Sequence, residues 1–522
     1  MKNILKNLNL IPTAQDYKIW IISYLAINIT FLYHSLNLLW GNHDVTFIKD
    51  KIFLSSGIFE GRFSQFIPQW LLTNGQILPI INNLIGFAFL TLALWLLAKY
   101  WKIPQSTLSY TLLIIFAATQ PYTLSWLYFT FITISCLFWC GLVILGLYLS
   151  AYLNQSYHKL QLSIVAITCF YLALGGYPPV INTIFVCLCG KITISYLYQH
   201  QSYTSIWHQQ KYTLLNIILA ALLFKLTLWF LPPQKVYNLE LITLAAIPAK
   251  LLTTLKIIFN QFFVTLPFME RGYKLVLFLM VCIAFITATT PPKSISQTIS
   301  AIGLLFITVV ASAVTTFIAV APTEYVARID FYGLGFVYTF SLALLMFCRV
   351  PIIKSLTLLI ALILIFMNII NDYRAQKIWH QGFIAEFQIL DDITERIENH
   401  PQFDSHNQYR FYQIGDISLR KKYYHDRYTK DEPFLLSLPY LAIWQGARLA
   451  EFYSPFNYID HQTPLLPQDI TPQVYNYINS IARPYPHPNC IFLNKDIILV
   501  IYNQDGLTEF RRKITKLPPF FK

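Results

Sequence analysis

Charge is what this chain has least of. Only 12% of its 522 residues are charged, whereas 56% are hydrophobic and the mean hydropathy is +0.49. A soluble globular protein carries roughly 25% charged residues, so half that share leaves too little polar surface to coat a water-facing body. The solvent must largely be lipid. Cysteine is also scarce, and its eight copies have neither disulfide-framework nor zinc-site spacing. Seven lie within or beside apolar runs, where they read as small buried hydrophobes, and Cys490 stands alone in a polar tail. Disorder, coiled coil and a secreted disulfide scaffold are excluded.

Acidic residues are nearly missing from the first two-thirds. Met1 to Asn371 hold 21 Lys plus Arg against 8 Asp plus Glu, whereas Asp372 to Lys522 hold 17 of each sign. The net charge of +13 and the pI of 9.2 therefore belong to the apolar part, as an orientation signal rather than a sign of a nucleic-acid partner. Apolar runs place spans at about 19–40, 78–98, 107–124, 127–152, 161–176, 179–198, 213–231, 274–290, 299–320, 331–348 and 355–371. Lys2, Lys6 and Lys18 precede the first span and hold the N-terminus inside, and Lys99 and Lys102 return the second to the same side. Eleven spans then place residues 373–522 outside. The expected fold is thus mainly α: a polytopic helical domain over 1–372, with outer loops 41–77 and 232–273, and a C-terminal extracytoplasmic α/β or α+β domain over 373–522. Lys250 and Lys256 among Leu251, Leu252, Ile257 and Phe262 make part of 234–272 amphipathic, suited to a helix lying in the outer interface. In the tail, helical spacing is expected over 376–399, and Ile491–Leu493 with Ile497–Tyr502 reads as a hairpin.

Of the eight acids before Asn371, only Asp16 is expected inside; Asp44, Asp50, Glu60, Glu240, Glu270, Glu324 and Asp330 lie in outward segments. The first outer loop carries Asn42-His43-Asp44 and then Phe59-Glu60-Gly61-Arg62-Phe63. There Asp44 can take a proton from a hydroxyl, with His43 or Glu60 tuning it, and Arg62 can grip a phosphate bidentately. The plainer reading is a polar loop with a capping Asp and an Arg that snorkels to headgroups. Two further outer segments pair an acid with an arginine, Glu270-Arg271 and Glu324 with Arg328, so that Arg62, Arg271 and Arg328 are candidates to converge on an anionic group at the bilayer edge. Lys225 lies inside an apolar run, where it either marks a function or snorkels. Tyr122, Trp126 and Tyr177 lie at outer turns, where aromatics form interfacial belts or stack on a sugar ring.

The order of these features resembles the bacterial GtrII-type glucosyltransferase family. The features are Asn-His-Asp after the first span, Glu-Gly-Arg-Phe some fifteen residues later, Gly175-Gly176-Tyr177 between middle spans, Ala327-Arg328, and the stretch Gln376 to Glu398 after the last span. The likeness covers most of 15–400 and implies a GT-C-like enzyme of the bacterial inner membrane. Such an enzyme takes glucose from a polyprenyl-phosphate carrier and attaches it to a surface glycan such as O-antigen on the periplasmic face. It implies Asp44 as the catalytic carboxylate, Glu60 and Arg62 as its partners and Arg328 near the phosphate; from their places in the outer segments His43 is a further candidate beside the base, Arg271 toward the phosphate, and Tyr177 and Glu324 toward the sugar. Pro178-Pro179 after the tyrosine departs from the family's pattern. No Asp-x-Asp pair occurs in the first loop, so no metal or other cofactor is implied. The expected reaction is direct displacement at the anomeric carbon, with the carboxylate taking the acceptor proton and arginines stabilising the departing lipid phosphate. The rival readings are a lipid-linked sugar flippase or transporter, which usually carries ionisable sites near the midplane and internal repeats, and a glycan polymerase or ligase.

Overall fold

The computed structural model describes residues 10–39, 44, 51–127, 129–153, 158–233, 247–263, 269, 272–289, 295–315, 331–348, 350–415, 457–458, 470–494 and 497–515. The chain forms two compact units: 1–38 with 51–375, and 39–50 with 376–522. The first is helical: α1 (Ala14–Thr30), α2 (Pro79–Trp101), α3 (Thr107–Ala118), α4 (Thr133–Ala151), α5 (Lys159–Gly176), α6 (Ile181–Leu197), α7 (Tyr203–Phe230), α8 (Ile247–Phe263), α9 (Tyr273–Thr289), α10 (Ile295–Val310), α11 (Leu334–Met346) and α12 (Pro351–Glu398). Residues 351–375 of α12 belong to this unit and the rest to the second.

Seven of these helices are long and apolar enough to cross a membrane: α2, α4, α5, α6, α7, α10 and α12, counting the 3-10 turns adjoining α4, α6 and α10. This makes the chain a multi-pass membrane protein by helix length and hydropathy. The other four expected spans fall on α1, α3, α9 and α11, which have 17, 12, 17 and 13 residues. At about 1.5 Å per residue the two shortest cover only about 20 Å of a hydrocarbon core about 30 Å thick. Their apolar stretches continue instead into irregular buried chain, so hydropathy alone overstates their length. α7 leaves Leu222 and Trp229 60% and 76% exposed, an apolar surface suited to lipid. Lys225 sits on that exposed surface.

One end of the bundle is pinned by a buried acid. Thr13 and Asp16 form a reciprocal capping box: the Asp16 amide donates to the Thr13 hydroxyl oxygen at 3.2 Å, and the Thr13 amide donates to the Asp16 carboxylate at 2.9 Å. The same carboxylate accepts from the Trp95 indole at 2.8 Å and stands 3.7 Å from Lys99, whose ammonium lies 4.0 Å from the Trp95 ring centre. The start of α1 is thereby held against the end of α2, so the two helices run antiparallel. A buried ion pair contributes little net stability, yet its extra hydrogen bonds make the register costly to change. The lone inward acid expected from sequence is therefore a structural clamp.

In the second unit, β1 (Gln408–Ile414) lies parallel to β4 (Ile497–Ile501), which pairs antiparallel with β3 (Ile491–Leu493); a two-residue β2 (Asn457–Tyr458) extends β1 on its other edge. The expected hairpin is thus β3–β4. All five residues of β4 are apolar and buried, the signature of a strand covered on both faces. Helix α13 (Gln504–Thr515) packs Leu507 and Ile514 against Leu499 and Ile501. The helix expected over 376–399 is present but is not a separate element, because no breaker interrupts the sequence between the last apolar run and Glu398.

Candidate functional site

The site is built on the loop between α1 and α2. Residues Leu54–Glu60 form a 3-10 helix that ends at Gly61 in the left-handed conformation (φ +73°). That turn suits glycine and reverses the chain so that the side chains flanking it meet. Glu60 and Arg62 form an ion pair at 3.0 Å, with their side chains 29% and 21% exposed. A pair this accessible contributes at most about 1 kcal/mol to stability, so fold stability is a weak reason for it.

The loop is bolted to the end of α5. The Ser64 amide donates to the Gly175 carbonyl at 3.2 Å, and the Ser64 hydroxyl donates to the Leu172 carbonyl at 2.6 Å. Phe63 fills the space a side chain at Gly175 would need, since a Cβ there would stand 2.3 Å from the ring. At Gly176 a Cβ would stand 2.2 Å from the Trp139 indole nitrogen. The paired glycines end α5, as their sequence context suggests, but they are also required for close approach, which no local pattern reveals.

Beyond them Tyr177 turns inward. The Arg62 guanidinium lies 5.3 Å from the centre of its ring, within cation–π range. Trp126 and Tyr332 pack on the same tyrosine at 5.0 and 5.5 Å, and the Tyr332 hydroxyl donates to the Cys136 carbonyl at 2.9 Å. Tyr177, Tyr122 and Trp126 are 4%, 1% and 0% exposed. The turn 119–127, expected at the membrane surface, is buried throughout because neighbouring helices and loops close over it. These aromatics form the wall behind Arg62, and none of the three is an open platform.

A polar cluster adjoins this wall along the same turn. The Lys274 ammonium donates to the Tyr122 hydroxyl oxygen and lies 5.0 Å and 5.7 Å from the ring centres of Tyr122 and Tyr338. The Tyr273 hydroxyl donates to Asn368, whose amide donates to Thr119 at 3.4 Å. Gln120 donates to the Gly335 carbonyl at 2.9 Å. Lys274, Asn368, Asn371 and Asp372 are all buried, on α9 and α12. Separation along the chain keeps this cluster out of any local sequence pattern. Asp372 lies one residue past the acid-poor segment, and an Asp closing a long apolar helix was the available signal.

Of the residues singled out from sequence, Glu60, Arg62 and Tyr177 come together. Asp44 is buried and belongs to the second compact unit. His43, Arg271, Glu324 and Arg328 lie outside the described residues.

A groove of about 580 Å³ runs between α8, α9 and α10, lined by Ile258, Phe262, Phe278, Phe306 and Val309, with Lys256 and Asn260 beside them. The helix expected over part of 234–272 is α8, and it supplies one wall. No family model, curated protein or solved structure matches the chain.

Proposed function

We propose that this protein is a polytopic membrane glycosyltransferase that moves a hexose, glucose in the resemblance noted above, from a polyprenyl-phosphate carrier to a surface glycan on the non-cytoplasmic face. The observation that carries the reading is the Glu60–Arg62–Tyr177 constellation. It is a guanidinium oriented by a carboxylate and an aromatic face, at the end of the bundle opposite the Asp16 clamp. Lys99 and Lys102 close α2, and Lys159 and Lys354 lie in the first turns of α5 and α12, all at the clamp end. By the positive-inside rule that end is cytoplasmic and Arg62 faces the other side. With α1, α3, α9 and α11 completing eleven crossings, the second unit is periplasmic in a bacterial inner membrane.

The apolar groove supports the donor class. Its volume lies within the roughly 300–1,000 Å³ of ordinary ligand sites, and its lining suits an isoprenoid chain with an anionic head near Lys256. In the proposed reaction a general base takes the proton of the acceptor hydroxyl as its oxygen attacks the anomeric carbon, and Asp44 is the candidate for that base which the resemblance implies. The bond from that carbon to the phosphate oxygen breaks, and the lipid phosphate departs with the electron pair, stabilised by Arg62. Glu60 holds the guanidinium in place. Arg271 and Arg328 are further candidates for the phosphate, and His43 and Glu324 for support of the base and the sugar.

The test is transfer of label from radiolabelled polyprenyl-phosphate glucose to a glycan acceptor in membranes containing the wild type, Asp44→Asn or Arg62→Ala. Loss of at least about a hundredfold in either variant at equal protein level supports the enzyme, such a loss matching removal of one oxyanion-type donor or a general base. Carrier translocation without transfer would instead identify a flippase.

A further inference from the structure

At the clamp end, α2 stops short of its neighbours. The Trp101 indole donates to the Cys187 carbonyl at 3.0 Å, and a Cβ at Gly190 would meet Trp101 at 3.4 Å and Phe340 at 3.0 Å. The end of α2 is therefore level with Cys187–Gly190, whereas α6 runs on to Leu197 and α11 to Met346. Lys102 caps α2 in the left-handed conformation (φ +55°) and is exposed.

Lys191 follows Gly190 on α6. It is 3% exposed, and its ammonium has no hydrogen-bond partner. Its nearest aromatic face is Tyr100, at 5.9 Å, the outer limit of a cation–π contact. The Tyr100 hydroxyl is likewise buried and unpartnered. Among the described residues no carboxylate pairs with Lys191, and the charged group that acts on it is a second cation, Lys102. The surroundings thus hold an ammonium, a phenol hydroxyl and another lysine. This set is rich in donors and positive charge. An uncompensated buried ammonium is expensive, and an anion with several acceptor oxygens answers all of these groups at once.

We propose that Lys191 and Lys102, with the Tyr100 hydroxyl, bind the phosphate of an anionic phospholipid from the cytoplasmic leaflet. Basic pockets between helices on that side are the usual seats of acidic headgroups. The short end of α2 gives the headgroup its approach from the membrane edge. This site lies at the opposite end of the bundle from Arg62 and does not depend on the transferase reading.

The test is native mass spectrometry of the full chain released from nanodiscs of phosphatidylcholine with or without phosphatidylglycerol. The wild type should retain one phosphatidylglycerol that survives activation. Lys191→Met should lose it, with at least tenfold weaker retention, and Lys191→Arg should keep it. Equal retention by wild type and Lys191→Met overturns the proposal. Binding of labelled orthophosphate that needs Lys191, without lipid retention, assigns the site to free phosphate and overturns the lipid. Should Lys191→Met not fold, Tyr100→Phe combined with Lys102→Gln tests the same site: retention at the wild-type level overturns the proposal, and loss supports it.

Discussion

Replacing Gly175 by alanine tests how the candidate site is held. The new methyl would stand 2.3 Å from Phe63, where real contacts do not form, so the ring must move. It has little room to do so, because Tyr171 and Phe224 flank it at 5.1 and 6.2 Å. Overpacking of this kind costs about 1–3 kcal/mol. The cost falls on the attachment of the loop, since Phe63 precedes Ser64, whose amide and hydroxyl make the two hydrogen bonds to α5. A loss of about 2 kcal/mol corresponds to roughly thirtyfold more frequent detachment. Hydrogen exchange of the Ser64 amide, followed by mass spectrometry on peptides within 54–73, reports that opening directly. Gly303→Ala serves as the control: nothing lies within 4 Å of its Cβ, so it should leave loop exchange unchanged. By helix propensity it should also stabilise α10 by about 0.5–1 kcal/mol. If Gly175→Ala leaves Ser64 exchange within twofold of wild type, the loop is not held by this contact and the account of the site is wrong.

Asp16→Asn keeps the shape of the cap but strands Lys99 without its counter-charge, and should destabilise the protein by about 3–5 kcal/mol, the usual cost of breaking a buried pair. The double change Asp16→Leu with Lys99→Met should recover much of that loss, and thermal unfolding in detergent measures both. In the second unit, burial depresses the basicity of His400, whose ring nitrogen accepts from the Gln402 amide at 3.3 Å. Its folded-state pKa lies below the unfolded value of about 6.5, so its contribution is complete above that pH and is lost as the pH falls through the folded value. Exchange protection of β1 residues 408–414 in the full chain should therefore decline from pH 7 toward pH 5. His400→Gln should flatten that decline, and an unchanged pH profile in the variant would refute the assignment.

Local pattern carried the membrane character, the amphipathic helix, the β3–β4 hairpin and the pairing of Glu60 with Arg62 across a glycine. Each rests on residues within a few positions of one another, where helix and strand periodicity and turn chemistry act. The lengths of α3 and α11 were not legible, because apolar residues look alike whether a helix crosses lipid or gives way to a buried turn. The polar cluster around Lys274 was hidden for a related reason. Tyr122, Lys274, Asn368 and Asp372 are separated by up to 250 residues and become one cluster only through packing.

Composition alone determined the medium in which this chain folds, since hydropathy and charge are sums over residues that no arrangement can alter. Tertiary structure decided the rest. It turned Asp16 from a stray acid into a clamp and Tyr177 from a surface aromatic into the wall behind Arg62, and it made Gly175 a socket for Phe63. Those roles are relations between distant segments, and they exist only once the helices have packed.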